Sequence, residues 1–260
     1  MIAMNFGFGP LEAEFWRMVF LMTRCGAALF AVPLFGSNQV PAEVRVVLAG
    51  ALAVLLCNWT TIPAPTALFS LPGLISTAGE VVIGLAIGFV LQFAFAAPVI
   101  AAEMIGAGMG LSIATAADPV SGAHSPALGQ YFSVLLTVIF LGLGAHLQWF
   151  ALLVESYRAF PPGGGWFTPD RMGLIAGFAT QMFVSAIAIA LPVVLLLLLV
   201  QLTFGVLARS APSLNIFALG LPLGMLAGVA ALVVSAPLVA DAMTDLVAIA
   251  LGQAQAVLAR

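Results

Sequence analysis

Asp118, Ser121 and His124 are the carboxylate, the hydroxyl and the imidazole that a serine hydrolase needs, and one short stretch of this sequence contains all three. In such an enzyme the serine attacks a carbonyl carbon while the imidazole accepts its proton. Here these side chains and Ser125 occupy eight residues rich in Ala, Gly and Pro, with no Gly-x-Ser-x-Gly turn to hold them in register. We therefore interpret the stretch as a solvent connection or a plug in a pore, not as an active site.

Two arginines lie in the first apolar segment, where a charge needs an explanation. Arg17 and Arg24 are seven residues apart and project from nearly the same stripe of a helix. Arg17 is near the end of the segment and can extend its charge to the surface. Arg24 is more central, where a charge costs on the order of 3 kcal/mol unless it is paired or faces water. We predict a structural ion pair for Arg24, with Glu80 and Glu103 as the available partners.

The remaining polar side chains of the apolar segments suggest packing. His146, in GLGAHLQWF, has no second ionisable group one or two turns away, so a hydrogen-bonded packing histidine is favoured over a proton relay. Gln92, Gln130, Gln148 and Gln201 are expected to form hydrogen bonds between helices.

The composition defines the class of protein. The chain is 63 % hydrophobic and 7 % charged, whereas soluble domains are about 45–50 % apolar and about 25 % charged. A net charge of −3 without any lysine gives no basic surface for nucleic acid. There is no HExxH, no Walker loop and no Gly-rich dinucleotide motif. The sequence predicts an all-α membrane protein that is not an enzyme and that binds no cofactor or metal.

The first residues of the sequence and the two cysteines are consistent with a membrane protein. The residues before the first apolar segment are acidic where a secretory signal would be basic, so we expect that segment to be retained. Cys25 and Cys57 each lie within an apolar segment and form no CxxC motif. We interpret them as small buried hydrophobic residues.

Six apolar segments approach or exceed the roughly 20 residues that a helix needs to cross a bilayer. Turns rich in Pro, Gly and Ser separate them, and the short link RSAPS makes its flanking helices an antiparallel hairpin. A seventh segment, 244–260, is expected to be an interfacial or packed terminal helix. The six predicted helices cover approximately 15–35, 44–61, 74–101, 128–154, 172–208 and 214–239.

Two of these segments are too long for a simple bundle. Residues 172–208 would extend about 55 Å against a hydrocarbon core of about 30 Å, and the stretch 80–110 has a similar excess. Kinks at Pro98 and Pro192, or strong tilt, would reduce it. The third solution is a helix that projects beyond the bilayer, which requires other protein to cover its apolar surface.

Glycines four residues apart form three small, flat helix faces that permit close packing. Each pair is more simply explained by packing within the chain, whereas three faces together favour an assembly surface. The faces consist of Gly84 and Gly88, of Gly106 and Gly110, and of Gly220, Gly224 and Gly228.

Four blocks of sequence, in this order along the chain, carry a resemblance to a known family. They are RCGAALFAVPLFGSNQVPAEVRV, EVVIGLAIGFVLQFAFAAPVIAAEMIGAGMGLSIATAADPVSGAHSPALGQ, FLGLGAHLQWFALLVESYRAFP and LARSAPSLNIFALGLPLGMLAG. Over nearly its whole length the chain resembles the FliR family of flagellar type III protein export gates. The Gly, Pro, Asp, His and Asn residues in these blocks make the resemblance specific.

The resemblance implies an export-gate architecture of tilted helical hairpins. Residues 1–170 would be similar to FliP and include a plug at 110–125, and residues 171–260 would be similar to the FliQ hairpin with an added C-terminal helix. The implied partners are FliP-like, FliQ-like and FlhB-like subunits, the lipid bilayer, and the unfolded flagellar proteins that pass through the channel. The implied location is the bacterial inner membrane, in the flagellar basal body.

The resemblance and the patterns above together give two sets of candidate residues. The plug set is Leu111, Ser112, Ile113, Ala114, Thr115, Asp118, Pro119, Ser121 and His124. The packing and assembly set is Arg24, Pro33, Gly36, Pro41, Arg45, Gly84, Gly88, Gly106, Gly110, Arg209, Pro212, Asn215, Phe217 and Gly220.

Two other functions remain open at this point. The equivalent subunit of a virulence injectisome, SctT, shares the fold, although the Gly in NIFALGLP favours the flagellar protein. A small-solute or ion transporter would need ionisable residues and broken helices in corresponding positions of two repeats, and no such repeat is visible.

Overall fold

The computed structural model describes residues 10–36, 40–59, 70–111, 126–162, 169–210 and 216–258. Every regular element in these ranges is helical, as predicted. The helices are α1 (Pro10–Ala31), α2 (Pro33–Gly36), α3 (Ala42–Trp59), α4 (Leu71–Gly108), α5 (Pro126–Gly142), α6 (Ala145–Ala159), α7 (Pro169–Ser210) and α8 (Ile216–Leu258).

Local signals in the sequence set several helix ends. Ser70 caps α4, because its hydroxyl accepts a hydrogen bond from the backbone N–H of Gly73 at 3.2 Å. At the other end Gly110 has a φ of 83°, a left-handed conformation that glycine adopts without strain and that ends the helix. Gly144 has a φ of 66° and separates α5 from α6 in the same way. The single helix predicted over 128–154 is therefore two helices.

Four of the described helices are long and apolar enough to cross a membrane, or five if the α5–α6 pair forms one bent span. The predicted membrane class is confirmed, and the expected count of about six is approximate. The first predicted span, α1, is not among the four. Its 22 residues include Glu12, Glu14, Arg17 and Arg24.

The last two helices are longer than a bilayer requires. α7 has 42 residues and α8 has 43, so each extends about 63–65 Å at 1.5 Å per residue. The overlong segments are thus confirmed, and both Pro98 and Pro192 lie inside continuous helices. The predicted terminal segment 244–260 is helical to Leu258 but continues α8 without a break, so the expected end of the preceding helix at 239 is wrong. Along this part of α8, Met243 and Leu246 are buried and Asp245 is exposed, the alternation expected of a helix with one packed face.

The chain forms two compact units. The first consists of residues 1–93, 144–178 and 250–260, and contains α1 to α3, the first part of α4 and all of α6. The second consists of residues 94–143 and 179–249, and contains the rest of α4, α5 and most of α7 and α8.

The core of the first unit is built around α1. Leu21 and Leu29 of α1 are fully buried, as are Leu56 of α3 and Ile87 of α4. From α6, Trp149 is buried and its indole N–H donates to the Ile87 carbonyl at 3.4 Å. These contacts bring α1, α4 and α6 together around the polar residues described below.

The core of the second unit combines aromatic and small residues. Phe95 and Phe140 pack edge to face with their ring centroids 5.6 Å apart. Ala186, Ile189 and Val193 of α7 are completely buried. Ala186 permits close helix packing, and Ile189 and Val193 fill the core beside it.

Candidate functional site

A buried ion pair occupies the centre of the first unit. Arg24 Nε donates to Glu80 Oε2 at 2.8 Å, and Arg24 Nη2 donates to Glu80 Oε1 at 2.9 Å. Arg24 is 0 % exposed and Glu80 is 1 % exposed. The planar guanidinium thus matches the carboxylate with two parallel hydrogen bonds, a geometry that lysine cannot reproduce. The predicted structural ion pair is confirmed with Glu80, and the other candidate, Glu103, is exposed.

Helix α6 and the residue after it supply the other partners of Arg24. Nη1 donates to Ser156 Oγ at 3.1 Å, and Nη2 donates to the Phe160 carbonyl at 2.8 Å. The guanidinium carbon lies 4.1 Å from the centre of the Tyr157 ring. Tyr157 in turn donates its hydroxyl proton to the Leu21 carbonyl at 2.6 Å. We call Arg24, Glu80, Ser156, Tyr157 and Phe160 the arginine cluster.

The arginine cluster joins three helices that are distant in sequence. Removing two charges from water costs several kcal/mol per ion, and a buried pair offsets that cost only with good geometry and further hydrogen bonds. The cluster provides both. It can therefore fix the register of α1 against α4 and α6, since a shift of one residue would leave a buried charge without its partner.

Two glycines allow the approach of α4 to α1 that the ion pair needs. A Cβ atom on Gly84 would meet the Arg24 carbonyl oxygen and would lie 3.0 Å from the Ala28 nitrogen. A Cβ atom on Gly88 would lie 2.7 Å from the Ala28 carbonyl oxygen. This pair therefore packs within the chain, as the simpler interpretation of the four-residue spacing predicted.

The second candidate site is the start of the predicted plug. Leu111 is half-buried, and it follows the carboxyl end of α4. The other predicted plug residues lie outside the described residues: Ser112, Ile113, Ala114, Thr115, Asp118, Pro119, Ser121 and His124.

The residues that contact the chain just before Leu111 belong to the second unit. Gln201 Nε2 of α7 donates to the Gly108 carbonyl at 2.7 Å, which confirms a predicted interhelical glutamine. Met109 is 7 % exposed and lies against Gly224 and Gly228 of α8. Gly224 and Gly228, two members of the predicted Gly220–Gly224–Gly228 face, thus pack within the chain.

The prediction that Gly106 and Gly110 share a helix face is wrong. α4 ends at Gly108, and Gly110 follows in the left-handed conformation. The two glycines consequently do not share a helix face. Of the three expected faces, the Gly84–Gly88 pair and the Gly224–Gly228 pair contact other parts of this chain, and the Gly106–Gly110 face does not form.

The predicted packing residues Pro33, Gly36, Pro41 and Arg45 lie at α2 and at the start of α3. Pro33 begins α2, and the N–H of Gly36 donates to the Val32 carbonyl at 2.6 Å. Pro41 precedes α3, where Arg45 Nη2 donates to the Val40 carbonyl at 2.8 Å. These residues shape the turn from α1 into α3.

The predicted assembly residues at the α7–α8 turn are only partly described. Arg209 is exposed at the end of α7, and Gly220 is half-buried in α8. The backbone of Phe217 lies in the first turn of α8. Pro212 and Asn215 lie outside the described residues.

Two single-residue predictions need correction. His146 is half-buried, but its buried Nδ1 has no hydrogen-bond partner among the residues that the structure describes. Within the described ranges, therefore, the expected hydrogen bond is not found at Nδ1. Arg17 does more than extend to the surface, because its side chain is 13 % exposed and Nη1 lies 3.3 Å from Glu14 Oε2.

Sequence reasoning missed Ser156, Tyr157 and the Phe160 carbonyl as partners of Arg24. Their signal was the polar run ESYR at the end of an apolar segment, which supplied hydroxyl groups for a buried charge. Cys25 was correctly predicted to be buried; its Sγ lies 3.4 Å from the Tyr157 hydroxyl. In the described ranges no group of three or more His, Cys, Asp or Glu residues could hold a metal ion.

Comparison with known proteins identifies the family. A sequence model of the family described as "Bacterial export proteins, family 1" matches residues 15–249. The flagellar biosynthetic protein FliR of Escherichia coli K12 is 33 % identical over 231 residues, which cover 88 % of this chain and 86 % of that protein. The chain belongs to the FliR family. The FliR protein of Bacillus subtilis 168 is 32 % identical over 216 residues, which cover 80 % of this chain and 82 % of that protein.

A third FliR protein, from Pectobacterium carotovorum, is 29 % identical over 225 residues, which cover 86 % of this chain and 84 % of that protein. The FliR resemblance predicted from the sequence blocks is thereby confirmed. The family match also spans both units, the arginine cluster and the start of the predicted plug.

Proposed function

We propose that this chain is a membrane subunit of the flagellar type III export gate and helps to form the channel through which unfolded flagellar proteins are exported. The observation that carries the proposal is the family match over residues 15–249. The relatives are named flagellar biosynthetic proteins, which points to the same system. The subunit would lie in the bacterial inner membrane, within the flagellar basal body, as a passive component without catalysis.

The exposed surface of the long helices supports assembly with other membrane proteins. α7 and α8 each extend about 63–65 Å, whereas lipid covers a hydrocarbon thickness of about 30 Å. Apolar side chains remain outward along both helices: Val206 of α7 and Val234 of α8 are each 72 % exposed. Protein partners are needed to cover what lipid does not reach.

The proposed partners are FliP-like, FliQ-like and FlhB-like export-gate subunits. In this arrangement the α7–α8 hairpin is the FliQ-like part of the chain, and its turn contacts neighbouring subunits through Arg209, Pro212, Asn215 and Phe217. The segment 110–125, whose sequence is rich in Ala, Gly and Ser, is the proposed plug of the channel, as the resemblance to the FliR family implies.

Secretion from a strain that lacks this gene tests the proposed function. Hook and filament proteins are expected to disappear from the medium while any injectisome effectors are still secreted, and the intact gene is expected to restore them. Loss of effectors alone would assign the chain to the injectisome. Normal secretion of both would contradict a role in protein export and favour the solute transporter.

Deleting Ser112 to Ala123 is expected to let ions leak across the membrane while the complex still assembles, because the proposed plug is removed and the described helices remain. Ion flux per amount of purified complex in liposomes measures the effect. Replacing the same residues with a Gly-Ser segment of equal length distinguishes the side chains from the length of the connection. An unchanged flux from the deletion in a verified complex would contradict the plug.

A further inference from the structure

The carboxyl end of α4 is fastened to α7 by a hydrogen bond that the helix itself cannot make. The last carbonyl groups of an α-helix have no intrahelical donor. At Gly108, the last residue of α4, Gln201 fills this role with an Nε2 to oxygen distance of 2.7 Å. α7 also approaches closely here, since a Cβ atom on Gly108 would lie 3.2 Å from a methyl group of Leu197.

The next residue, Met109, is seated on two glycines of α8. A Cβ atom on Gly228 would lie 2.6 Å from the Met109 methyl carbon and 2.7 Å from its sulfur. A Cβ atom on Gly224 would lie 3.1 Å from the Met109 carbonyl oxygen. Any larger residue at position 228 would thus displace the Met109 thioether, because the thioether occupies the place where a Cβ atom would be.

These contacts fix the direction in which the chain leaves α4. Gly110 turns the backbone with a φ of 83°, immediately after Met109. We propose that Gln201, Met109, Gly224 and Gly228 form a helix-end clamp whose members are positioning residues for the channel segment that starts at Leu111. This inference rests on the proposed function, because it assigns the clamp a role in sealing the channel.

A size exchange tests the clamp in the complete export-gate complex. Gly228→Ala and Met109→Ala are each expected to raise ion flux through the purified complex. A loss of about 1.4 kcal/mol would raise the ratio of released to seated clamp about tenfold. The double variant is expected to return the flux towards the wild-type value, since the smaller residue at 109 makes room for the Cβ at 228.

Matched variants separate positioning from general stability. Gly252→Ala lies on the same helix as Gly228 but has open space around the new Cβ, and it should leave the flux unchanged. Gln201→Leu should raise the flux because it removes the donor to Gly108. Gln181→Leu, on the same helix, removes only a side chain whose amide lies 3.5 Å from the nearby Ser185 hydroxyl, and it should not raise the flux.

The outcomes distinguish the clamp from the proposed function. Increased flux at normal complex yield, with recovery in the double variant, would support the clamp. If the deletion of Ser112 to Ala123 leaks but the clamp variants do not, the clamp is wrong and the plug stands. If the deletion does not leak either, the plug fails and the clamp fails with it. Should Gly228→Ala prevent folding, Gln201→Leu decides, because it changes an exposed side chain.

Discussion

Replacing Arg24 with leucine is expected to lower the free energy of unfolding by about 3–5 kcal/mol, the range found when one member of a buried ion pair is removed. The variant leaves the Glu80 carboxylate, 1 % exposed, without the guanidinium that binds both of its oxygens. Ser156 and the Phe160 carbonyl lose a donor at the same time. The thermal midpoint in detergent and the amount of folded protein recovered from membranes both measure the effect.

The double variant Arg24→Leu with Glu80→Leu isolates the ion pair. Because no charge is left stranded, it should be more stable than Arg24→Leu alone. Arg17→Leu is the matched control: the Arg17 side chain is 13 % exposed, but its partner Glu14 is 62 % exposed, so the substitution leaves no buried carboxylate and should destabilise the protein less than Arg24→Leu. If Arg24→Leu were as stable as the wild type, Glu80 would need no partner. The arginine cluster would then not be a determinant of the fold.

Gly84→Ala is expected to destabilise the protein by about 1–3 kcal/mol, the usual range for overpacking a tight interior. The new methyl group would meet the Arg24 carbonyl oxygen and lie 2.9 Å from the Ala27 methyl carbon. The carbonyl is backbone, so relief requires α1 to move away from α4. That movement would also draw Arg24 away from Glu80, and folded protein should be recovered in lower amounts.

Gly79→Ala on the same helix is the control for Gly84→Ala. Nothing lies within 4 Å of a Cβ at Gly79, and alanine is favoured over glycine in a helix by about 1 kcal/mol. The two substitutions should therefore change the thermal midpoint in opposite directions. A rise in the midpoint for both would show that α1 and α4 are not in close contact at Gly84.

The helical membrane class followed from apolar content, because no soluble arrangement can bury so much apolar surface. The helix ends were harder to predict. The break at Gly144 depends on the positive φ that glycine adopts there. The continuity of α8 through Val239 goes with a helical pattern of buried and exposed positions around Asp241. Apolar content is insensitive to both features.

The candidate sites were predictable to the extent that chemistry restricts the partners of a residue. Arg24 had to be paired because a lone charge in an apolar interior is costly, and only two acids lay in nearby apolar segments. The choice of Glu80 over Glu103 depended on the packing of α1 against Gly84, which spacing alone does not specify. The contact between Gln201 and Gly108 joins residues 93 positions apart, and no local pattern encodes it.

The arginine cluster also has a consequence for the timing of synthesis. Arg24 and Glu80 are 56 residues apart, so at about 5–20 residues per second the arginine is made roughly 3 to 11 s before its partner. During that interval a lipid-embedded α1 would carry an uncompensated charge at a cost on the order of 3 kcal/mol. Pairing with Glu80 removes that cost, so the ion pair favours burial of α1 together with α4 rather than before it.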